Sequence, residues 1–352
     1  MSNTTTDWLA TQFNTASWAV NQVCIPILFF VGIIGWTLNT ITFSRPSLRS
    51  NSCATYFHAS SWANLCVLFW SPFIYAVGNW SGYRLPARSI LFCKIRIYFI
   101  TMFCHTSVAF LLLACGDRFM LCSRSANRRR LCHVRIAYKM IIITIIICAL
   151  LPLYISLKYN RLSAVSNLCI IDIDFLIFDV TYKLTIWAIV PPSLMLTLGS
   201  LTIYSLKHNA RQIANIRIQI HSKDRQLVAM LIGQIALYIT TTWPYVAVII
   251  YNVLTQNILP SNKSVTRNAI ETFALSFSAN FFLYLYNAIS FLVYTLTAPS
   301  FRRELFLALV PTFIRQQFHN RIGTTTLQQI ENRTGNVSYI RSRERVMIES
   351  VA

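Results

Sequence analysis

Charged residues are spaced so unevenly that they divide the chain into long uncharged stretches separated by polar segments. Seven stretches of at least 18 residues contain no Asp, Glu, Lys or Arg, and this length is about what an α-helix needs to cross a bilayer. The third has 20 residues, which correspond to about 30 Å of helix. We therefore predict an all-α membrane protein, a seven-transmembrane helix bundle. The uncharged stretches are 8–44, 50–83, 97–116, 140–157, 184–206, 226–262 and 272–301.

The basic residues are concentrated in alternate segments between these stretches. Segments 45–49, 118–139, 207–225 and 302–345 hold 22 of the 31 Lys and Arg residues. Such an excess in alternate loops is typical of cytosolic loops. We therefore expect a multi-pass protein of the plasma membrane, with its N-terminus outside and its C-terminus in the cytosol. These basic loops then lie next to anionic membrane lipid, which accounts for much of the net charge of +20, so no nucleic acid partner is expected.

The composition argues against several other functional classes. The chain is 55% hydrophobic and has a mean hydropathy of +0.51, outside the range of ordinary soluble domains. A membrane enzyme needs a nucleophile with its base, or clustered metal ligands, and the ten cysteines include no CxxC pair. We expect neither an enzyme nor a cofactor. A transporter usually keeps charges at mid-membrane, where this chain has none, so it is retained only as an alternative.

The stretch from Cys93 to Phe119 combines a cysteine, an uncharged helix and the pair Asp117-Arg118. It closely resembles the third helix of rhodopsin-like (class A) G-protein-coupled receptors, whose motif is Asp-Arg-Tyr; here Phe119 replaces the Tyr. In the overall character of its sequence, the chain most resembles invertebrate FMRFamide-type peptide receptors. The resemblance implies a receptor that binds an extracellular ligand and activates heterotrimeric G proteins. The expected ligand is a neuropeptide, or else a small molecule, and arrestin is expected to bind the phosphorylated tail. A chemosensory receptor for a small apolar ligand is the alternative.

The resemblance also implies roles for residues at one end of the bundle. Arg118 is expected to pair with Asp117 and with Asp224 at the base of helix six, in a bridge that agonist binding opens. Asp224 could equally be a solvated loop charge. Tyr294 aligns with the Tyr of the family's Asn-Pro-x-x-Tyr motif, although Ser290 and Phe291 replace the Asn and Pro. Asn64 replaces the helix-two Asp, so we expect interhelical hydrogen bonds there but no sodium site.

Helix six and the long outer loop carry two further motifs of the family. The family has Cys-Trp-x-Pro in helix six, whereas here Thr242 holds the usual Trp position and Trp243 directly precedes Pro244. Pro244 is expected to kink the helix, because it removes a backbone hydrogen bond and crowds the preceding turn. The resemblance further implies a disulfide between Cys93 and Cys169.

The outer half gives weaker indications about the ligand. Ile100 stands where amine receptors have an Asp, and no Lys follows Lys263, so neither an amine nor retinal is expected. Acidic residues at the outer mouth favour a basic or amidated peptide, with its aromatic side chains among Trp243, Tyr245 and Tyr284; ordinary solvated loop charges are an equal alternative. The ligand-binding candidates are Ile100, Cys104, Asp172, Asp174, Tyr245, Glu271 and Tyr284.

The remaining segments complete the predicted organisation. Helix one is predicted over 22–43, and an amphipathic eighth helix over 299–310 is expected to lie in the headgroup layer. The predicted divisions are an extracellular N-terminus (1–21), the receptor domain (22–297), the amphipathic helix with a membrane-proximal segment (298–318) and a disordered cytoplasmic tail (319–352). Glycosylation triplets on the predicted outside begin at Asn3, Asn79 and Asn262.

Overall fold

The computed structural model of the protein describes most of its membrane-spanning part. The described residues are 2–81, 89–123, 125–162, 169–171, 173–210, 218–256, 258 and 262–309. Within these ranges the side chains of 2–7, 75, 79, 156, 159–162, 169–171, 173, 206–210 and 218–225 are not described. Residue contacts divide the chain into two units, Met1–Arg302 and Arg303–Ala352. Of the second unit, only the helical residues 303–309 are described.

Seven helices of the described part are long and apolar enough to cross a membrane. This finding confirms the predicted all-α seven-transmembrane bundle. A short eighth helix, Pro299–Leu309, follows helix seven. The candidate spans, here called helix one to helix seven, are Trp8–Phe43, Ser52–Gly78, Ile90–Leu121, Val134–Ile155, Leu176–Ser205, Gln226–Leu254 and Val265–Thr297.

Several helices extend beyond these spans or contain more than one segment. Helix one includes Ser2–Ala19 and Ile25–Phe43, and helix six runs over Ile218–Leu254. The segments of the others are Ser52–Leu68 and Ile74–Trp80 in helix two, Val134–Leu150 and Leu153–Lys158 in helix four, Leu176–Lys183 and Val190–Ala210 in helix five, and Val265–Ser276 and Leu283–Thr297 in helix seven. Two short helices, Pro46–Arg49 and Ala126–Arg130, lie between spans.

Polar side chains cap the N-termini of four described helices by accepting hydrogen bonds from backbone amides of the first turn. Asn51 caps helix two, Ser89 caps helix three, His133 caps helix four and Ser264 caps helix seven. The first amides of a helix have no partner within it, so such caps stabilise the start. These residues therefore fix where the four helices begin.

Four helices also contain a π-helical turn, which joins their α-helical segments. The turns are Val20–Cys24, Phe69–Phe73, Leu184–Ile189 and Phe277–Phe282. A turn of this kind often forms beside a proline, because proline cannot donate its backbone hydrogen bond. Pro72 lies inside the second turn, whereas Pro244 lies inside the continuous helix six.

Helix one begins some twenty residues earlier than predicted. Residues 2–19 are helical, and the Phe13 ring lies 5.6 Å from the Phe273 ring at the start of helix seven. The sequence prediction began at residue 22, because the Thr, Asn and Ser residues before it do not form an apolar run. Packing against helix seven explains why the segment is nevertheless helical.

The longest predicted outer loop contains a small hairpin. Strands β1, Tyr159–Leu162, and β2, Cys169–Ile171, pair antiparallel, with Leu162 opposite Cys169. A short 3-10 turn, Ile173–Phe175, then leads into helix five. Cys169 therefore stands at the start of a strand.

Aromatic packing joins the last part of helix seven to helices one and two. The buried Tyr294 ring lies 5.5 Å from Phe43, 5.1 Å from Phe57 and 5.9 Å from Phe301. Phe301, in the first turn of helix eight, is itself buried. Gly32 lies close to helices two and seven, because a Cβ there would meet the Leu68 side chain and would lie 3.4 Å from Ala288 Cα.

Candidate functional site

A buried ion pair lies at the end of helix three that we call the Arg118 end of the bundle. The Arg118 and Asp117 side chains are 2% and 4% exposed, and Arg118 Nη2 lies 2.6 Å from Asp117 Oδ2. Arg118 Nε donates to the same oxygen at 3.2 Å, and Nη2 also donates to Asn51 Oδ1 at 3.2 Å. A buried charge is tolerated when it is paired and hydrogen-bonded in this way. The pair therefore connects helix three to the start of helix two.

Two neighbouring residues hold this ion pair in place. Asn51 Oδ1 also accepts the backbone amides of Cys53 at 3.0 Å and Ala54 at 3.4 Å, so one amide side chain caps helix two and binds Arg118. Cys132 donates its S–H to the Asp117 carbonyl oxygen at 3.2 Å. Burial, with the nearby Asp117 carboxylate, raises the pKa of the Cys132 thiol to about 12. Both effects disfavour the thiolate, so Cys132 remains a donor at neutral pH.

Of the other residues predicted at this end, the structure describes the side chain of Tyr294 but not that of Asp224. Asp224 lies in the first part of helix six, but its side chain is outside the described residues. The bridge from Arg118 to Asp224 therefore stays a prediction. Tyr294 lies in the aromatic cluster with Phe43, Phe57 and Phe301, which is compatible with a role in helix packing near this end.

Buried polar side chains connect four helices in the middle of the bundle. Asn64 accepts from the Ser107 hydroxyl and donates to Ser290 Oγ at 3.4 Å. Ser107 and Ser60 share a hydrogen bond of 3.2 Å. The buried Gln234 donates to the Ser290 carbonyl oxygen at 2.8 Å. The interhelical bonds expected of Asn64 are thus confirmed, and Gln234, which sequence reasoning missed, ties helix six to helix seven.

A small cavity lies between helices three, five, six and seven, on the Cys93 side of this polar network. Its wall is mainly apolar and aromatic, which is typical of a small-molecule pocket. Two predicted site residues, Cys104 and Thr242, contribute to it. Residues lining the cavity include Cys104, Val108, Trp187, Tyr238, Thr242 and Tyr286.

His105 joins helix three to helix five beside this cavity. Its Nδ1 lies 2.5 Å from the Thr101 carbonyl oxygen, which can only accept, so this nitrogen carries a proton. Nε2 lies 3.1 Å from the Trp187 indole N–H and 3.0 Å from the Tyr182 hydroxyl. Because the indole can only donate, the ring is neutral and Nε2 accepts. Trp187 lines the cavity, so this hydrogen bond couples the cavity wall to helix three.

Trp243 does not lie where the sequence prediction placed it. The Trp243 side chain is 53% exposed on the surface of the bundle. Thr242, in contrast, is buried and lines the cavity. Successive residues of a helix differ by about 100° in direction, so Trp243 is turned away from the cavity that Thr242 lines. The expectation that Trp243 receives part of a ligand is therefore corrected.

The other predicted aromatic candidates do lie inside the bundle. The Tyr245 ring packs 6.3 Å from Trp187, and Tyr284 accepts a hydrogen bond from the Ser71 hydroxyl. Arg96, which sequence reasoning also missed, donates to Ser71 Oγ at 3.2 Å. A cation and two hydroxyls thus meet between helices two, three and seven. Ile100 belongs to the same buried cluster as Tyr284.

Glu271 lies at the end of the bundle that contains Cys93, here called the Cys93 end, and is already paired within the protein. Glu271 binds Lys263 at 2.6 Å and Arg267 at 3.0 Å, and it accepts from the Tyr251 hydroxyl at 2.9 Å. Such pairing reduces the attraction that Glu271 can exert on a cationic ligand. Asp174 is exposed in the 3-10 turn, and Asp172 lies outside the described residues.

A second ion pair stands in helix five at the same end. The buried Asp179 binds Lys183 at 2.6 Å and accepts from the Tyr154 hydroxyl at 2.8 Å. These contacts join helices four and five. Within the described part of the chain, no group of three His, Cys, Asp or Glu residues could hold a metal ion.

The covalent features predicted for the outside are only partly described. Cys93 is buried and disulfide-bonded. Cys169 begins β2, but its side chain is not described, so its pairing with Cys93 stays a prediction. Asn262 is exposed, as a glycosylation site must be, while the side chains of Asn3 and Asn79 lie outside the described residues.

Seven membrane-length helices, an Asp-Arg pair closing the third and a cavity among helices three, five, six and seven define a seven-transmembrane receptor. The family model for the 7 transmembrane receptor (rhodopsin family) matches residues 37–288. The chain therefore belongs to the rhodopsin family of seven-transmembrane receptors. A comparison with curated proteins found no match.

Proposed function

We propose that this receptor binds an extracellular ligand and activates heterotrimeric G proteins. The observation that carries the proposal is the Asp117–Arg118 pair, which closes helix three beside the most basic segments of the chain. Members of this family are generally not enzymes, and the family match favours a receptor over a transporter. The proposed location is the plasma membrane. The Arg118 end is proposed to face the cytosol, because segments rich in Lys and Arg are typical of cytosolic loops.

Activation is proposed to release Arg118 from its present contacts. In the structure, Arg118 binds Asp117 and Asn51, so its guanidinium is directed into the bundle. An agonist would favour a second state in which helix six moves outward and Arg118 turns to a G protein. Phosphorylation of the Ser- and Thr-containing tail would then allow arrestin to bind.

Asp224 is proposed to hold helix six in the resting state through a bridge to Arg118. The support is its position in the first turns of helix six and the basic partner at the end of helix three. Asp224→Asn would then raise basal nucleotide exchange about fivefold, the effect of a loss of about 1 kcal/mol. Basal exchange equal to the parent would assign Asp224 to the solvated loop.

We propose a neuropeptide as the ligand, following the likeness to FMRFamide-type receptors. The charge distribution does not favour a strongly basic one. The segments on the proposed extracellular side, with the adjoining helix ends, contain nine Lys and Arg residues against five Asp and Glu, and Glu271 is paired. A basic group would depend on Asp172 and Asp174. If replacing both by Asn leaves the affinity of the identified peptide unchanged, these acids are not its binding site.

A small apolar ligand is the second candidate, because the cavity beside Trp187 and Tyr238 has a mainly apolar wall. Such a ligand would bind deeper than a peptide and would not need the outer acids. Thr242→Leu, which fills the cavity wall, should abolish its effect while sparing a peptide that binds nearer the mouth. The same substitution therefore separates the two ligand classes.

The proposed function is tested by measuring nucleotide exchange on a panel of G proteins in membranes that contain the receptor. Paired amidated and free-acid neuropeptides, and a set of volatile and lipid-like small molecules, serve as ligands. The proposal expects exchange above that of membranes without the receptor, with at least one ligand raising it further. Solute uptake without exchange would instead support the transporter.

A further inference from the structure

The first part of helix six makes a direct hydrogen bond with the start of helix eight. The Ser300 amide donates to Gln226 Oε1 at 2.8 Å, and both residues are half-buried. A backbone amide can only donate, so the atom of the Gln226 side chain that faces it is the oxygen. The two residues are 74 positions apart, and the bond therefore joins two separate helices.

The sequence at the start of helix eight explains why a distant side chain caps it. Helix eight begins at Pro299, which has no N–H, so Ser300 provides the first amide of the helix. The preceding residue, Ala298, has only a methyl side chain, and alanine is among the poorest N-cap residues. The acceptor for the Ser300 amide comes instead from Gln226 of helix six.

The turn between helices seven and eight is also held by Arg302. Its Nη1 donates to the Thr295 and Leu296 carbonyl oxygens at 3.0 Å each, which are among the last carbonyls of helix seven. Such carbonyls have no partner within their own helix. Because these bonds fix the turn that carries Ser300 against helix seven, a displacement of helix six from helix seven would lengthen the Gln226 bond.

Helices six and seven approach each other closely two turns farther along. Gly233 follows Gln226 by seven residues, which places both on nearly the same face of helix six. A Cβ at position 233 would lie 2.6 Å from Val293 Cγ1 and 3.1 Å from Thr297 Cγ2. Val293 is β-branched and has little freedom to turn away, so a side chain at 233 would push the two helices apart.

We propose that the bond from Ser300 to Gln226 is a latch, because helix six cannot move outward without leaving the first amide of helix eight uncapped. An uncapped, half-buried amide is unfavourable, so the latch stabilises the resting state. It needs no charge and is distinct from the proposed bridge between Arg118 and Asp224. Its regulatory role rests on the proposed activation through helix six, whereas the cap itself does not.

Hydrogen–deuterium exchange of the full-length receptor in detergent, resolved to the Ser300 amide by mass spectrometry, tests the cap without a G protein. Gln226→Met has a similar length but no oxygen, so Ser300 should exchange at least about fivefold faster than in the parent. Gln226→Glu keeps an accepting oxygen beside a helix N-terminus and should protect Ser300 as well as the parent does. Parent-level exchange in Gln226→Met would overturn the cap.

Gln256→Met is the matched control, because Gln256 is an exposed glutamine just beyond the opposite end of helix six. It makes the same chemical change far from helix eight, and the Ser300 amide should exchange as in the parent. Equal acceleration in the control and in Gln226→Met would overturn the assignment of the cap to Gln226.

Gly233→Ala tests whether the position of helix six controls the cap, because it leaves the Gln226 side chain intact. The added methyl group should separate helices six and seven beside Val293, and the Ser300 amide should then exchange faster than in the parent. A folded Gly233→Ala receptor with parent-level exchange at Ser300 would overturn this coupling.

Basal nucleotide exchange at matched surface expression tests the regulatory role. Gln226→Met should raise it about fivefold while the active fraction is small, and Gln226→Glu should leave it near the parent level. Faster hydrogen exchange at Ser300 with parent-level nucleotide exchange would overturn the latch as a restraint on activation. If the parent itself activates no G protein, the proposed function fails, and the hydrogen-exchange results still decide whether helix six caps helix eight.

Discussion

Arginine is among the residues least often buried in proteins, yet the Arg118 side chain is only 2% exposed. The sequence indicated its importance through the Asp-Arg motif, but it could not show how the charge is accommodated. That depends on Asn51, some 67 positions earlier, which supplies an acceptor from the start of helix two. Arg96 was missed, and the partners of His105 were not predicted, for a similar reason: a lone polar residue in an apolar helix does not indicate its partner.

Asn51→Ala should lower the stability of the receptor by about 1–2 kcal/mol, the typical cost of losing an N-cap. Both the helix-two amides and Arg118 Nη2 would lose an acceptor. Thermal unfolding in detergent would show the lower midpoint. Asn51→Asp keeps the accepting oxygen and should stay near the parent; an Ala variant as stable as the parent would show that this side chain does not hold the end of helix two.

Cys132 should react slowly with thiolate-directed reagents in the folded receptor. Its pKa of about 12 leaves far less thiolate at pH 8 than an ordinary cysteine with a pKa of about 8.5. Iodoacetamide labelling, followed by peptide mass spectrometry, should be at least about a hundredfold slower than at the same cysteine in the unfolded chain. The folded rate should also rise with pH across the range 7 to 9. Equal rates in both states would contradict a half-buried, protonated thiol.

At the scale of the helices, charge-free windows predicted the number and the centres of the spans, because a charge is costly in hydrocarbon. The ends were less predictable. Helix one extends back to Ser2 through a segment without an apolar run. Phe13 of this segment packs against Phe273 of helix seven, a tertiary contact that the local sequence does not reveal. Trp243 was misplaced because motif alignment gives a position along the helix, whereas the 100° rotation between neighbours decides which residue faces the cavity.

Gln234→Met should raise basal nucleotide exchange. Gln234 donates to the Ser290 carbonyl oxygen at 2.8 Å, and outward movement of helix six would break this bond. Met fills a similar volume without the hydrogen bond, whose net contribution is about 1 kcal/mol, so the active fraction should rise about fivefold while it is small.

The measurement is ligand-free exchange at matched surface expression. Thr240→Val is the control, because Thr240 is an exposed helix-six residue that bonds only the Ala236 carbonyl oxygen of its own helix among the bonds described. It should behave like the parent. Parent-level exchange in Gln234→Met would mean that this bond survives activation or does not oppose it.

At the scale of the whole molecule, the described bundle is held by polar and aromatic contacts between helices rather than by ion pairs across its centre. Asn64 connects helices two, three and seven, and Gln234 adds helix six. The resemblance to the family singled out Asn64 through the Ala63-Asn64-Leu65 pattern and Tyr294 through its spacing before Phe301-Arg302. It could not predict the partners Ser60, Ser107 and Ser290, because small hydroxyl residues occur throughout these helices.

Replacing Cys93 or Cys169 by Ser should reduce surface expression, because the predicted disulfide would fix the outer hairpin to the start of helix three. The two single variants should resemble the double variant, as expected for one shared bond. Cys24→Ser changes a free cysteine and serves as the control. Alkylation of both thiols in native membranes, without prior reduction, would contradict the pairing.

The most direct test of the account is nucleotide exchange by an Arg118→Lys receptor. Ala would be a poor choice, because it leaves Asp117 buried without a cation at a cost of about 3–5 kcal/mol. Lys keeps the charge but not the planar fork that binds several acceptors at once. With surface level and unfolding temperature near those of the parent, exchange should fall at least about tenfold, while Arg128→Lys should leave it unchanged. Full exchange in Arg118→Lys, or none from the parent on any G protein, would contradict the central claim.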